Sequence, residues 1–510
     1  MLKRKKQVKR LKKNKVKFLN LDFIIQEEIK KNRLKIKFKN DYKLSDFQKL
    51  LSEKKSHKDF TNIPFVTIDG EESKDFDDAV YAFPNKKNFT IMTAIADVSF
   101  YVRANTSIDS EAKERANSFY VPGRVIPMLP EVLSNNLCSL VPNENRLCLI
   151  VEIEINSEGS IIKKKISRGI IKSRAKLTYN EVQNHIDKKS SLENNLGELI
   201  DNIFNAYNSL KKASFKRGKL ELDTDEYEIK NLHDGNNFIF SKKKSIISMK
   251  LIEEFMIITN KAIADYSKEK KISILHRNHN KPSSEKMLKL IKFFKSFSND
   301  IFRESSNLNI EFNKILNNKK NKNYTLFKDI ILKSQSKATY NFSNHGHFGL
   351  ALNSYTHFTS PIRRYSDLLV HRKICDFISN SDTKKSKFFD EILCNHLLEQ
   401  EKKSENIERS IIEKACCIYL SKIKKKKFLG IIDGITDFGI FIKSIELPFF
   451  GLAKIRHINS DYNIFDIGQN CILGKKKGIK FLIGQKVSFK IKKNDIEKGL
   501  ISLEKIKHED

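Results

Sequence analysis

The chain has no tryptophan, and only 9 prolines and 18 glycines among its 510 residues. Together with heavy use of Lys, Asn and Ile, this is a bias that an AT-rich genome alone produces. The seven cysteines are odd in number and scattered, without a C-x-x-C pair. Neither a disulfide framework nor a zinc site is suggested, and a reducing cytoplasm fits best. No run of about 18 apolar residues occurs, which argues against a membrane span. The basic start, MLKRKKQVKRLKKNKVKF, has no apolar segment after it and so does not read as a secretory signal.

What is present is length and positive charge. The chain is long enough for two to four domains, each with its own core. Lys and Arg outnumber Asp and Glu by 96 to 62, a formal charge of +34, which favours a polyanionic partner such as nucleic acid. Residues 1–17 read as a solvated basic arm, and 18–60 as a weakly helical lead-in around LDFIIQEEIKK and LSDFQKLLSEKK. From 61 to about 425, strand-like runs (FVTI, FTIMTAIADVSFYV, LCLIVEIEI) precede helical stretches. Thr178 is a plausible N-cap, one helix runs towards Gly218, and SMKLIEEFMIITNKAIADYSKEK has helical spacing. This predicts an α+β domain. After KIKKKK the pattern changes to short strands with Gly turns over 426–506, which predicts a small closed barrel of OB type.

Against the basic background, VTIDGEESKDFDDAV gathers Asp69, Glu71, Glu72, Asp75, Asp77 and Asp78. In a regular strand Asp75 and Asp77 share a face and Asp78 points away, so convergence of Asp69, Asp75, Asp77 and Asp78 requires an irregular loop. Converging carboxylates raise one another's pKa unless a cation neutralises them, and a hard, oxygen-seeking Mg²⁺ suits them. An exposed acidic turn explains the same letters; an EF-hand does not, because its ligand spacing and terminal Glu are missing. Far downstream, HFTSPIRRYSDLLVHRKI places Ser360 as a helix cap, Pro361 at the first position and Arg363 and Arg364 in the first turn. Guanidinium and helix N-terminus together make an anion site, although two arginines on a solvated face are the commoner case. A carboxylate cradle and an arginine-lined anion site in one basic domain describe phosphoryl chemistry.

These segments, with IADVSFYV, VIPMLPEVLSNNLCSL, RGIIKSRAKLTYNEV and HFGLALNSYTHFTSPIRRYSDLLVHR in that order, resemble the ribonuclease II/ribonuclease R family of processive 3′→5′ exoribonucleases over roughly 60–506, leaning to the ribonuclease R branch. The resemblance implies that Asp69, Asp75 and Asp78 hold two Mg²⁺ ions with Asp77, on which cleavage most depends. It implies further that Arg363 steadies the scissile phosphate with Arg364 beside it. Tyr120 then resembles the aromatic that stacks on the 3′-terminal base, Tyr179 and Glu254 the residues that read the terminal ribose, and Glu408 a further site position. Each also suits an ordinary core or surface place. In the C-terminal barrel, which looks like the RNA-binding type first described in a ribosomal protein, Phe438 and Phe441 offer stacking faces near Lys443 and Lys454; barrel core fits these rings equally well. Two departures stand out. The segment before FVTIDG is too short and too poorly patterned for the family's cold-shock barrels, leaving the basic arm to replace them. The usual aromatic partner of the base clamp falls at Leu222, which predicts a one-sided clamp.

The reading is therefore a cytoplasmic, monomeric, Mg²⁺-dependent exoribonuclease acting on single-stranded or 3′-tailed RNA, without a membrane partner. The rivals are a catalytically inactive RNA-binding or chaperone protein on the same fold, which has no use for four repelling carboxylates, and a DNA exonuclease.

Overall fold

The computed structural model describes residues 20–509, apart from 52–56, 194, 223–225, 232–236, 296, 298–301, 303–306, 322, 380–389, 424, 426 and 468–470. The basic arm at 1–17 lies outside the described residues. No helix among those described is long and apolar enough to cross a membrane.

Helix α1 (Leu21–Lys31) is capped by Asn20, whose side chain accepts from the Phe23 amide. It is more than a lead-in. Leu21, Ile24, Ile25 and Ile29 lie along one face and join a core with Ile407, Ile411, Ala415 and Ile418.

The centre is a seven-stranded sheet made of β1 (Lys58–Asp59), β2 (Val66–Asp69), β3 (Asp78–Asn85), β4 (Asn88–Ala96), β5 (Asn145–Ile155), β6 (Ile161–Lys172) and β7 (Ala175–Thr178), in the order β1-β6-β5-β4-β3-β2-β7. β3 to β6 pair antiparallel, while β2 and β7 run parallel with Asp69 beside Thr178. Residues Thr90–Ala96 of β4 are all buried, as expected of a central strand covered on both faces. The apolar run read as one strand through Tyr101 breaks at Asp97, which accepts from the Phe100 amide and starts a short helix, Val98–Tyr101.

Helices cover the sheet. α2 (Tyr179–Ile186) begins with a capping box between Thr178 and Glu181. α3 (Leu196–Arg217) ends at Gly218, whose φ of +84° is the left-handed conformation that terminates helices. α4 (Ile247–Glu269) buries Leu251, Phe255, Ile258, Ala262 and Ile263 in the central core, and α5 (Tyr365–Ile378) follows the arginine turn. Helices Ser284–Lys295, Leu308–Asn317 and Tyr324–Ser334 form a satellite around Phe294, Phe312 and Phe327.

The 32-residue α6 (Glu391–Lys422), about 48 Å long at 1.5 Å per residue, joins three cores. Leu393 and Leu397 enter the central one, Ile407 and Ile411 pack on α1, and Cys416, Cys417 and Leu420 enter the C-terminal one. After the lysine cluster, β8 (Phe428–Thr436), β9 (Gly439–Ser444), β10 (Phe450–Lys454), β11 (Lys486–Asp495) and β12 (Leu500–His508) close into a barrel. Its interior holds Phe428, Phe449, Phe489 and Leu503.

Candidate active site

β2 ends at Asp69 and β3 begins at Asp78, so the acidic loop between them is irregular, as convergence requires. Neighbours occupy its backbone polar groups. Lys176 donates to the carbonyls of Glu71 (3.0 Å) and Ser73 (3.2 Å). Ser139 Oγ donates to the Lys74 carbonyl (2.7 Å) and accepts from the Phe76 amide (3.0 Å), while the Asp77 carbonyl accepts from the Ala96 amide. With Phe76 buried beneath it, the loop holds Asp77 rigidly inward.

Asp77 is 4% exposed. Its Oδ1 accepts from the Ile362 amide at 2.7 Å, and its Oδ2 has no hydrogen-bond partner and lies 3.4 Å from Arg363 Nε. Burial pushes its carboxyl up to about 8 against the pull of Arg363. Burial and Asp75 push Asp69 up to about 7, and Asp78 is pushed well up by burial, Asp69 and Asp77. These are crowded carboxylates whose burial and repulsion outweigh the pull of Arg363 and Lys176. Asp75 completes the group, accepting from the Tyr120 hydroxyl at 3.1 Å.

The donor chemistry, the mutual repulsion and the orphaned Asp77 Oδ2 fit a hard divalent cation. Among the described residues no three His, Cys, Asp or Glu side chains already form a coordination shell.

The arginine turn differs from expectation. α5 starts at Tyr365, with Arg364 as its cap residue, and Pro361–Arg363 form a turn closed by the Arg363 and Arg364 amides on the Ser360 carbonyl. Tertiary bonds displace the helical pattern: Ile362 N–H goes to Asp77, the Arg363 carbonyl accepts from Ser118 N–H, and Tyr365 N–H goes to the Ala116 carbonyl. The Ile362 amide therefore holds a carboxylate of the protein itself. Arg363, its side chain 44% exposed, donates to Ser360 Oγ at 3.0 Å and stands over the carboxylates. Arg364 is different: Asp367 engages its guanidinium bidentately at 2.9 and 2.7 Å. That geometry braces Arg364 within the turn beside Arg363.

The β2–β7 register sets Tyr179 at the start of α2 next to Asp69, and the Tyr179 carbonyl accepts from Ser248 Oγ on α4. The structure thus gathers Asp69, Asp75, Asp77, Asp78, Tyr120, Tyr179 and Arg363. Glu254 and Leu222 line a neighbouring cavity of about 220 Å³. Glu254 is 6% exposed; its Oε1 accepts from Lys219 (2.8 Å) and Ser214 (3.1 Å), and its Oε2 lies 3.7 Å from Arg217. Glu253, with its side chain 53% exposed, faces the same cavity and shares Lys219. Leu222 packs against the satellite core. Glu408 sits on the exposed face of α6 near Glu226 and Lys243. In the barrel, Phe438 is 52% exposed with Phe441 edge-on at 5.9 Å, while Lys443 is tied to Asp329 at 3.1 Å.

An RNB domain model matches residues 57–380. Ribonuclease R of Mycoplasmopsis pulmonis is 33% identical over 514 residues, covering 98% of this chain and 69% of the relative. The chain belongs to the ribonuclease R family. A second family member, ribonuclease R of Vibrio cholerae, is 34% identical over 469 residues, covering 86% of this chain and 55% of its own length; the chain spans little more than half of that relative. The fold agrees with Mycoplasma genitalium RNase R solved in complex with ribose-methylated single-stranded RNA, with a TM-score of 0.85 and 30% identity, covering 95% of this chain and 78% of that one.

Sequence reasoning missed the braces of this family site: Ser139, Lys176, Asp367 and the Lys219–Glu253 pair. Ser139, Lys176 and Lys219 act across distant segments and carry no local signal, whereas Asp367 stands three residues from Arg364.

Proposed function

We propose that the protein is a Mg²⁺-dependent 3′→5′ exoribonuclease that shortens RNA processively to nucleoside 5′-monophosphates in the cytoplasm. The observation that carries this reading is the buried Asp77, whose free Oδ2 sits among three further carboxylates and beside an exposed Arg363. Asp69, Asp75, Asp77 and Asp78 would hold two Mg²⁺ ions, which when bound supply an activated water and neutralise phosphate charge. Arg363 takes the non-bridging oxygens of the terminal phosphodiester and balances the charge that grows in the transition state. Tyr120 presents its ring to the terminal base and steadies Asp75 through its hydroxyl.

Pinning of the acidic loop by Ser139 and Lys176 fixes the attack geometry. The C-terminal barrel, of OB type in this reading, feeds single-stranded or 3′-tailed RNA past Phe438 and Phe441. Division into a lead-in to 60, a catalytic unit over 61–425 and a barrel over 426–506 belongs to the same proposal, as does a monomeric state. Hydrolysis of a 5′-labelled RNA in Mg²⁺, arrested by chelator and by Asp77→Asn, tests it; undiminished cleavage by Asp77→Asn contradicts it.

A further inference from the structure

A second cavity, of about 410 Å³, opens between the end of α3, the start of the Leu308–Asn317 helix and the loop at 345–353. That volume is within the range of small-molecule sites. Among the described residues its lining contains no Asp or Glu, but it does contain Arg217, Lys281, His347, Asn309 and Phe348. Elsewhere on the surface lysines are balanced by acids, as in the pairs Lys164–Glu269 and Lys261–Asp265. Here they are not.

On its wall Asn309 lacks one hydrogen-bond partner, and Arg217 is held by an ion pair to Glu254. Asn309 is 4% exposed; its Nδ2 donates to the Phe348 carbonyl at 2.7 Å, and its Oδ1 is buried without a donor. Arg217 Nε donates to the Leu350 carbonyl at 2.9 Å, while its buried Nη2 makes no hydrogen bond and lies 3.7 Å from Glu254. Buried polar groups without partners cost free energy unless something is bound there. His347 Nδ1 accepts from the Leu350 amide at 3.2 Å, which leaves Nε2–H as a donor.

We propose that this cavity binds a nucleoside 5′-monophosphate, with Lys281 and Arg217 on the phosphate, Asn309 Oδ1 accepting from the nucleoside and the Phe348 ring against the base. The choice of a mononucleotide among phosphate esters rests on the exoribonuclease reading, which generates one per cycle. Arg217 lines this cavity and lies 3.7 Å from Glu254 of the cavity that also holds Leu222, so the two cavities adjoin. Because cationic and neutral donors form it, binding needs no divalent ion.

The test is equilibrium dialysis of the full chain against labelled AMP in excess chelator. The proposal requires saturable one-site binding that weakens roughly tenfold in Lys281→Glu, the effect of removing one charge-assisted hydrogen bond. Asn353→Asp, a second exposed change on the same wall, must weaken it as well, with melting curves as the control for folding. Adenosine and inorganic phosphate must each compete less well than AMP; if either matches AMP, the nucleotide assignment is overturned. Absence of saturable binding overturns the site. So does binding that ignores both substitutions, or that is lost in Tyr120→Ala while Lys281→Glu retains it. RNA hydrolysis in Mg²⁺ is measured separately, so a failure of the exoribonuclease reading appears there and not in the dialysis.

Discussion

Replacing Asp77 by Asn separates chemistry from architecture at the most buried carboxylate of the cluster. Asn keeps an oxygen at the position that accepts the Ile362 amide. It gives up the charge that faces Arg363 at 3.4 Å, an interaction with a partner whose side chain is 44% exposed and therefore worth less than about 1 kcal/mol. Against that loss, the substitution removes a carboxyl whose burial pushes it up to about 8, a group that the folded protein holds ionised at neutral pH only with difficulty. The two effects oppose each other, and relief of the burial cost is the larger. In chelator the melting temperature should therefore fall by no more than about 4 °C, the most that the loss of about 1 kcal/mol of pairing makes in a large domain.

Activity should behave differently. In the proposed reading the lost charge is one that faces the metal, and its removal should slow cleavage on the order of 10²- to 10³-fold or more. Single-turnover cleavage of a labelled RNA, filter binding of the same RNA and thermal melting in chelator measure the three quantities. A melting temperature lowered by about 10 °C, well beyond the shift expected for 1 kcal/mol, or RNA binding that falls in step with cleavage, would show that Asp77 acts as a structural residue and refute the reasoning.

Leu222→Phe should lengthen retention of short RNA and shorten the limit products, since a base stacked on an aromatic ring gains about 1 to 3 kcal/mol; identical product lengths and release rates would remove Leu222 from the clamp. Asp97 is fully buried, and although burial alone raises its carboxyl, His57, Arg168 and Ser99 hold it well below the usual range. A depressed carboxyl contributes stability above its unfolded value of about 3.9 that is lost as pH falls below it. Asp97→Asn should thus destabilise by about 3 to 5 kcal/mol at pH 7 and by much less at pH 2, in denaturant titrations at both pH values; equal losses at the two would contradict the pairing. Deletion of residues 1–17 should flatten the dependence of RNA affinity on salt by a slope of about 0.7 for each phosphate that the arm neutralises, and an unchanged slope would mean that the arm grips nothing.

Much of the site was legible because its signals are local. The acidic loop occupies one short stretch, the Thr178–Glu181 capping box is written three residues apart, and the helix that ends at Gly218 carries its own stop. What escaped depends on distant partners. The start of α5 slipped from Pro361 to Tyr365 because Asp77, nearly three hundred residues earlier, takes the Ile362 amide. Glu254 shares Lys219, 35 residues earlier, which no spacing rule reports, whereas the pairing of Arg364 with Asp367 is an i,i+3 contact that the sequence does carry. Likewise α1 looked like a polar lead-in until α6 supplied the apolar face that its own residues need.

The central claim is that the carboxylate cluster and Arg363 hydrolyse RNA from its 3′ end. Its most direct test incubates the protein with a 5′-labelled RNA bearing a 3′ tail, and with the DNA equivalent, in Mg²⁺ or in chelator, and resolves the products. The account predicts 5′-monophosphates with a full-length band that yields to short end products, for RNA only and in Mg²⁺ only. Internal cleavage, equal loss of DNA, or shortening that persists in chelator would contradict it.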